Sequence, residues 1–527
     1  MADRLPRQTD QPPLIQALLR PETYPHPAGD IRLHETHISW VLLAGDYAYK
    51  LKKPLDLGFL DFSTLASRRK ACDDEVRLNR RLCPDVYLGV VDVREREGSY
   101  FVGGPGRTVE PAVRMRRMPE EGMLPELLNR DAVTPALVRR IARRLARFHA
   151  SAVTGPGVDE HGSPAAVTAA WWQNFAQVQP YIGRTLAPEA FRHTLAFVES
   201  FLGDQASLLE RRAAGGRVRD GHGDLHAASV CVEGRRLHFF DCIEFNVGFR
   251  CTDVAAEVAF LAMDLEHYGR ADVAAAYVDA YVAASGDHEL RQLLAFYECY
   301  RAFVRGKVTS FRLDQPGLDG ESAARLTAEA RAYFDLAWAH AGGLPSPLLV
   351  ASMGLPASGK TTLARALSGR LGLVHLESDV IRKELAGLPP TARVGGVFGK
   401  GLYDPAMTRR TYARVLRRAA RWLRRGYPVV VDATFGDPAQ RAALRRLAAR
   451  VGARFVVLVC QADEETAKRR LAARAGRADT ASDARLDLWP ALRAAFVPRH
   501  EMPEAAMVDT TRPPEEAVER AMEAIRA

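Results

Sequence analysis

The chain has 527 residues, 47% of them apolar and 26% charged, and a formal charge of +9. Single hydrophobic cores stop growing at roughly 250–300 residues, so the length predicts two or three domains. The ordinary composition excludes a disordered or fibrous chain, and no run of about 18 uncharged apolar residues offers a membrane span.

The first 14 residues, MADRLPRQTDQPPL, lack the apolar stretch of a signal peptide, so a cytoplasmic protein is expected. The 73 basic residues comprise only nine lysines against 64 arginines. The arginines are interleaved with apolar positions, as in LVRRIARRLARFHA. That pattern reads as solvated helix faces more than as a nucleic-acid arm. Seven scattered cysteines without a CxxC pair point to reduced, buried thiols and away from zinc.

In chain order, residues 38–52 read as a β-hairpin and 67–82 as a helix, with strands near 87–93, 99–102 and 112–115. From Thr134 to about 340 the pattern is helical, broken by a β-rich stretch at 218–245. Gly and Pro cluster at 341–347, which predicts a seam and domains at 1–342 and 348–527. Beyond it the strands LLVASM, LVHLES, PVVVDAT and ARFVVLVC alternate with helices, the pattern of a parallel sheet flanked by helices.

In the first half, His222-Gly-Asp224-Leu-His226 precedes two short strand-like runs that end at Asp241. One carboxylate can take a hydroxyl proton and the other can bind the metal of a nucleotide. Lys50 falls in a predicted strand and Glu75 in the next helix, the pairing by which protein-kinase-like folds hold α- and β-phosphates. Lys52 shares the face of Lys50 and is the fallback.

This half resembles the aminoglycoside phosphotransferases and the related choline- and maltose-type kinases. HGDLH matches their catalytic loop and FFDCIEF their metal-binding segment. The resemblance implies an α+β protein-kinase-like fold using ATP and Mg²⁺. It assigns Asp224 as base, Lys50 and Glu75 to the phosphates, Asp241 to the metal, and Met115 and Met118 to a hinge near the adenine. Two features depart from it. Ser229 stands where the family has a metal-binding Asn, a shorter and weaker ligand that predicts altered or impaired catalysis. His34–Ser39 replaces a Gly-rich loop.

Other residues of this half admit two readings. His222 and His226 suggest a metal site, but no third ligand is suitably spaced. Glu244 and Asp253 can contact substrate or brace the loop. Trp171, Trp172, Phe175, Tyr297, Tyr300, Arg301, Arg305 and Lys307 can wall an acceptor pocket, although aromatics at such spacing are more often core.

In the second half, Gly354-Leu355-Pro356-Ala357-Ser358-Gly359-Lys360-Thr361 fits GxxxxGK[ST] between a predicted strand and a predicted helix opening at Thr361-Thr362. Its backbone N–H groups and helix N-terminus suit phosphates. Lys360 suits the β- and γ-phosphates, and the Thr361 hydroxyl suits Mg²⁺. Asp432 ends an apolar strand where a carboxylate holds Mg²⁺ or its water shell. Asp379 can accept the acceptor's proton and Arg382 can hold substrate, or the Asp is a helix cap. Arg470 and Arg474, four apart on one helix face, can close over a triphosphate or form an exposed basic face. This half resembles the P-loop kinases grouped with zeta toxins, gluconate kinases, chloramphenicol phosphotransferase and the 5′-kinase part of polynucleotide kinase. The phosphate loop, SDVIRK, VVVDATF and RLAAR with Ser482-Asp483-Ala484 carry that likeness.

The whole chain resembles bifunctional aminoglycoside phosphotransferase/ATP-binding proteins. That implies tandem transfer of the γ-phosphoryl of Mg·ATP to a hydroxyl. Four acidic residues near the first site are few for a polycationic antibiotic, so a sugar or small polyol is expected as acceptor. The alternatives are a polynucleotide 5′-hydroxyl kinase, a P-loop kinase regulated by an impaired first domain, or a toxin-like kinase acting on nucleotide sugars.

Overall fold

The structure is a computed structural model that describes residues 11–58, 60–315, 317–392, 394, 401–474, 481–483, 489–494 and 505–527. The chain divides into two compact units. One comprises residues 1–133, 140–167 and 207–258, the other 134–139, 168–206 and 259–527.

The first unit is built on an antiparallel sheet. Its strands are β1 (Arg32–Glu35), β2 (Ser39–Ala44), β3 (Tyr47–Lys52), β4 (Tyr87–Arg96), β5 (Ser99–Val102) and β6 (Arg107–Arg116), in the order β1-β2-β3-β6-β4-β5. The β2–β3 hairpin turns at Gly45, whose φ is +57°, and a Cβ there would lie 2.5 Å from the Pro27 carbonyl oxygen. Only glycine fits that approach. Helix α1 (Leu65–Asn79) opens with a capping box between Thr64 and Ser67. It starts two residues earlier than Ser67 and ends three before Leu82.

The period of two along β3 separates its faces. Tyr49 and Leu51 join Ile15, Leu18, Leu42 and Val93 in one core. Ala48 joins Cys72 and Val76 of α1 and Met115 of β6 in another. Lys50 and Lys52 therefore share the α1 side. Further along come β7 (Val218–Asp220) with β10 (Cys251–Asp253), and the hairpin β8 (Val230–Glu233) to β9 (Arg236–Phe239). These carry a protein-kinase-like fold.

Within the second unit, α2 (Pro164–Val178) and α3 (Leu290–Phe311) contribute an aromatic core. Trp171 is fully buried against Phe175, Phe296, Tyr300 and Phe303. Trp171 and Phe175 are thus packing residues, while Trp172 is exposed. Lys307 is buried, donating to the amide oxygens of Asn174 and Gln177. Helix α4 (Gly320–Trp338) leads through the Gly/Pro stretch to the parallel sheet. Its strands are β11 (Leu348–Met353), β12 (Val374–Glu377), β13 (Val429–Asp432), β14 (Arg454–Gln461) and β15 (Ala506–Asp509), in the order β12-β13-β11-β14-β15. The helices between them include α5 (Lys360–Leu371), α6 (Ser378–Leu385), α7 (Pro405–Leu423) and α8 (Glu464–Arg474). All four strand pairings are parallel, and Val, Leu and Ala fill the core between sheet and helices. This is an α/β P-loop kinase fold. The four expected strands are present, and β15 is a fifth that the sequence reading did not separate.

Candidate active sites

In the first unit, Lys50 Nζ donates to Glu75 Oε1 at 2.9 Å and to Asp241 Oδ1 at 2.5 Å. Lys52 Nζ donates to the other Glu75 oxygen at 2.5 Å and also to Glu244. Two lysines and three carboxylates thus form one chain, Asp241–Lys50–Glu75–Lys52–Glu244. Glu75 and Lys52 are sealed from solvent, whereas the Asp241 side chain is 57% exposed. Burial alone would push the Lys50 ammonium down, yet Asp241, Glu75 and Glu244 hold it well above its ordinary value. Burial alone would raise the Asp241 carboxyl, but Lys50 and Lys52 hold it below the usual carboxylate range. Lys50 is the cation at the open end, and Lys52 completes the buried neutralisation of Glu75.

The elements aim this chain. Asp241 adopts φ +67°, an uncommon conformation for a non-glycine residue. Its amide donates to the Tyr87 hydroxyl at 3.1 Å, and the next amide, of Cys242, donates to Asn79 Oδ1 at 2.9 Å. The HGDLH turn is held from below by Glu257. One Glu257 oxygen accepts the amides of His222 and Gly223 at 2.6 and 3.0 Å, and the other lies 2.5 Å from His149 Nε2. Burial would raise this carboxyl, but those partners bring it down to about 2. Glu257, His149, Tyr87 and Asn79 escaped the motif reading. A lone glutamate inside the apolar run VAAEVAFLAM was the available signal for Glu257.

Three readings of this half are narrowed: Glu244 and Asp253, which could contact substrate or brace the loop, and Ser229. Glu244 faces Lys52 with its side chain 3% exposed, so it braces the segment and does not face a substrate. Asp253 likewise pairs with buried Arg212. The Ser229 hydroxyl accepts from the His226 amide at 2.9 Å and lies within hydrogen-bonding distance of the His226 and Asp224 carbonyls. It closes a turn and is nearly sealed, leaving little for a cation. Asp224 remains partly open, 3.5 Å from His226 Nε2. His222 is buried and bonded to the Phe240 carbonyl, a structural role. Met115 pairs with Ala48 across β3 and β6, and Met118 packs against the same cluster.

In the second unit, the phosphate loop runs from β11 into α5. Gly354 and Gly359 have φ of +145° and +84°. Cβ atoms there would lie 2.5 Å from the Cys460 carbonyl oxygen and 2.9 Å from the Thr510 side chain. Ala357, at φ +60°, shares the loop's tight path. The Thr361 hydroxyl donates to Asp432 Oδ2 at 2.6 Å, and Thr362 faces solvent. Lys360 Nζ donates to the Leu355 carbonyl at 2.8 Å. Pro356, Gly359, Lys360, Thr361, Asp379 and Asp432 line one cleft. Burial and the neighbouring Asp432 and Asp483 raise the Asp379 carboxyl, although Arg382 and Lys360 oppose them. The oxygen pair of Thr361 and Asp432 fits Mg²⁺, a hard cation that takes oxygen ligands, and the glycine cradle fits phosphate.

Two arginines have other work than expected. Arg382 is buried, donating to the Leu402 carbonyl and Thr408 hydroxyl with its guanidinium 4.7 Å from the Tyr403 ring. It ties α6 to α7 and the segment before it, while its charge acts on Asp379. Arg470 donates to the Ala357 carbonyl at 3.3 Å and to the Thr510 carbonyl at 2.5 Å, so it braces the phosphate loop from the side. The Arg474 side chain and Ala484 lie outside the described residues. Thr510, whose hydroxyl donates toward the Ser358 and Gln461 carbonyls, also escaped the sequence reading. Buried Lys383 lies 3.4 Å from Asp483 and so links SDVIRK to Ser482-Asp483.

Residues 349–499 match the AAA domain family AAA_33. Rv2004c of Mycobacterium tuberculosis and Mb2027c of Mycobacterium bovis are each 33% identical over 499 residues, 94% of this chain and 96% of theirs. The chain belongs to their family. Among solved structures, a gluconokinase from Sinorhizobium meliloti is 21% identical, covering 34% of this chain and 92% of its own, with TM-score 0.26. A choline/ethanolamine kinase family protein from Mesorhizobium loti is 13% identical, covering 60% and 94%, with TM-score 0.37. Among the described residues of this family member, no helix is long and apolar enough to cross a membrane.

Proposed function

We propose that the protein is an ATP-dependent phosphotransferase that moves a γ-phosphoryl group to a hydroxyl of a small molecule such as a sugar or polyol. The observation that carries this reading is the cleft of the second unit. It gathers a phosphate loop with Lys360, a Thr361–Asp432 oxygen pair at 2.6 Å, and Asp379 with a raised carboxyl. Lys360 leaves the Leu355 carbonyl to meet the phosphates, and the loop amides orient them. Asp379 accepts the acceptor hydroxyl's proton. Mg²⁺, when bound, neutralises charge on the transferring group. Catalysis is then positioning plus charge stabilisation.

The first unit has the parts for a second nucleotide: Lys50 on Glu75, Asp241 beside it, and Asp224 open on the neighbouring loop. A second reading has one specific observation in its favour. The turn-closing Ser229 supplies no ready ligand, so the first unit binds nucleotide or a ligand and regulates the second without turnover.

An acceptor screen with [γ-³²P]ATP on wild type, Asp224→Asn and Lys360→Ala decides between them. Transfer that survives in Lys360→Ala and disappears in Asp224→Asn assigns chemistry to the first unit. Transfer lost in Lys360→Ala and retained in Asp224→Asn favours the regulatory reading. Labelling of a 5′-hydroxyl oligonucleotide with steep salt dependence would replace the small-molecule acceptor by nucleic acid. Transfer that persists with both substitutions combined overturns the proposal.

A further inference from the structure

Below the phosphate loop, Asp432, which the phosphotransfer reading gives to Mg²⁺, meets two side chains that this reading leaves unused. His375 and Glu377 alternate on β12, so they share one face of the sheet. Glu377 is in register with Asp432 of β13, and His375 with Val430. That face lies under α5, because Thr361 of α5 bonds Asp432 and Arg365 of α5 reaches Glu377 at 3.4 Å. One ligand atom from each of His375, Glu377 and Asp432 falls within 4.8 Å of the others.

The imidazole faces Asp432 and Glu377 and, against the burial that raises them, pulls both carboxyls down. His375 Nε2 is closed off from solvent, and among the described residues it makes no hydrogen bond. It stands 3.7 Å from Asp432 Oδ2, beyond hydrogen-bond range. Leaving a buried polar nitrogen unsatisfied is unfavourable. Two ligands about 2.1 Å from one ion sit roughly 3.0–3.5 Å apart at octahedral or tetrahedral angles, so small side-chain rotations would close the set. The charge is also uneven. Two carboxylates face each other; Lys360 and His375 offset Asp432, but Arg365 reaches Glu377 only from the rim with its side chain 62% exposed.

We propose that His375, Glu377 and Asp432 form a site for a first-row divalent cation of the Mn²⁺ type, filled independently of nucleotide. One imidazole with two carboxylates favours such an ion over Mg²⁺, which prefers all-oxygen shells. The site shares Asp432 with the Mg²⁺ pair of the phosphotransfer reading but goes beyond that reading and does not rest on it.

The test is Mn²⁺ titration of nucleotide-free full-length protein followed by EPR, with pulsed EPR for nitrogen coupling. Wild type is expected to bind one Mn²⁺ with the coupling of a single imidazole, and a tenfold excess of Mg²⁺ is expected to leave it in place. His375→Gln is expected to lose the coupling and at least tenfold in affinity. No Mn²⁺ bound without nucleotide, Mn²⁺ without nitrogen coupling, or an unchanged signal in His375→Gln would overturn the site. Should His375→Gln fail to fold, Asp432→Asn decides. Loss of the nitrogen-coupled ion supports the site and its persistence overturns it. A protein that shows the Mn²⁺ signal but transfers no phosphoryl group would leave this site standing and remove only the phosphotransfer reading.

Discussion

Asp379 sits where a carboxylate is least comfortable ionised, partly buried and facing Asp432 and Asp483. A base must be deprotonated to act, so its raised carboxyl sets the acid limb of the rate profile. Activity is expected to fall, as pH drops, at a higher pH than an ordinary carboxylate would give. Asp379→Asn is expected to lower kcat by about 100-fold or more, within the range for a positioned base, with little change in nucleotide affinity. Steady-state kinetics across pH check both, and a variant that keeps the acid limb would deny Asp379 the role. Lys52 makes a different point. The sequence points to Lys50 with Lys52 as the fallback, and in the fold Lys50 reaches the open end beside Asp241 while Lys52 lies at the sealed end. Lys52→Met would leave Glu244 without its buried cation and Glu75 with Lys50 alone, so a loss of about 3 kcal/mol or more is expected in chemical denaturation.

At the scale of elements, the HGDLH turn is only as fixed as the helix beneath it. Glu257 lies near the start of that helix, Val254–His267, and receives two turn amides and His149. Its carboxyl ordinarily titrates at 4.5 and is brought to about 2 in the fold. A depressed folded value stabilises the protein above the unfolded value and is lost as pH falls through the folded one. This contribution is therefore complete above about pH 4.5 and drains away toward pH 2. Glu257→Gln is expected to flatten that part of the stability curve, measured by denaturant melts at several pH values. Strands and helices near these sites were legible in sequence because period and caps are local signals. The phosphate loop was legible for the same reason, since eight consecutive residues carry it. Glu257, Tyr87 and Asn79 were not, because each acts across the fold on a motif distant in sequence. The strand β15 was missed because four residues ending in Asp509 carry too short an alternation to stand apart from a loop.

For the whole molecule, motif order gave two nucleotide sites, and each set of residues is brought together within its own compact unit. Isothermal calorimetry with a non-hydrolysable ATP analogue is expected to find two sites per wild-type chain and one in either Lys50→Ala or Lys360→Ala. A single site in wild type would show that one constellation is vestigial. Arg382 and Arg470 hold protein partners that the sequence does not reveal, for a common reason. In a chain with 64 arginines, spacing marks which guanidiniums are near a site but not whether the backbone has already claimed them.

Thr510 has a consequence for the order in which the second unit is assembled. Its hydroxyl meets the Ser358 carbonyl across 152 positions of chain, and its side chain walls Gly359. The phosphate loop precedes most of its own sheet in synthesis, yet it gains this wall only when the strand at 506–509 docks. Contacts of such separation are slow to close. A refolding experiment that follows nucleotide fluorescence alongside far-UV dichroism should therefore see binding competence lag behind helix formation. Thr510→Val, which keeps the shape but drops the hydroxyl, should leave the loop more easily opened once folded.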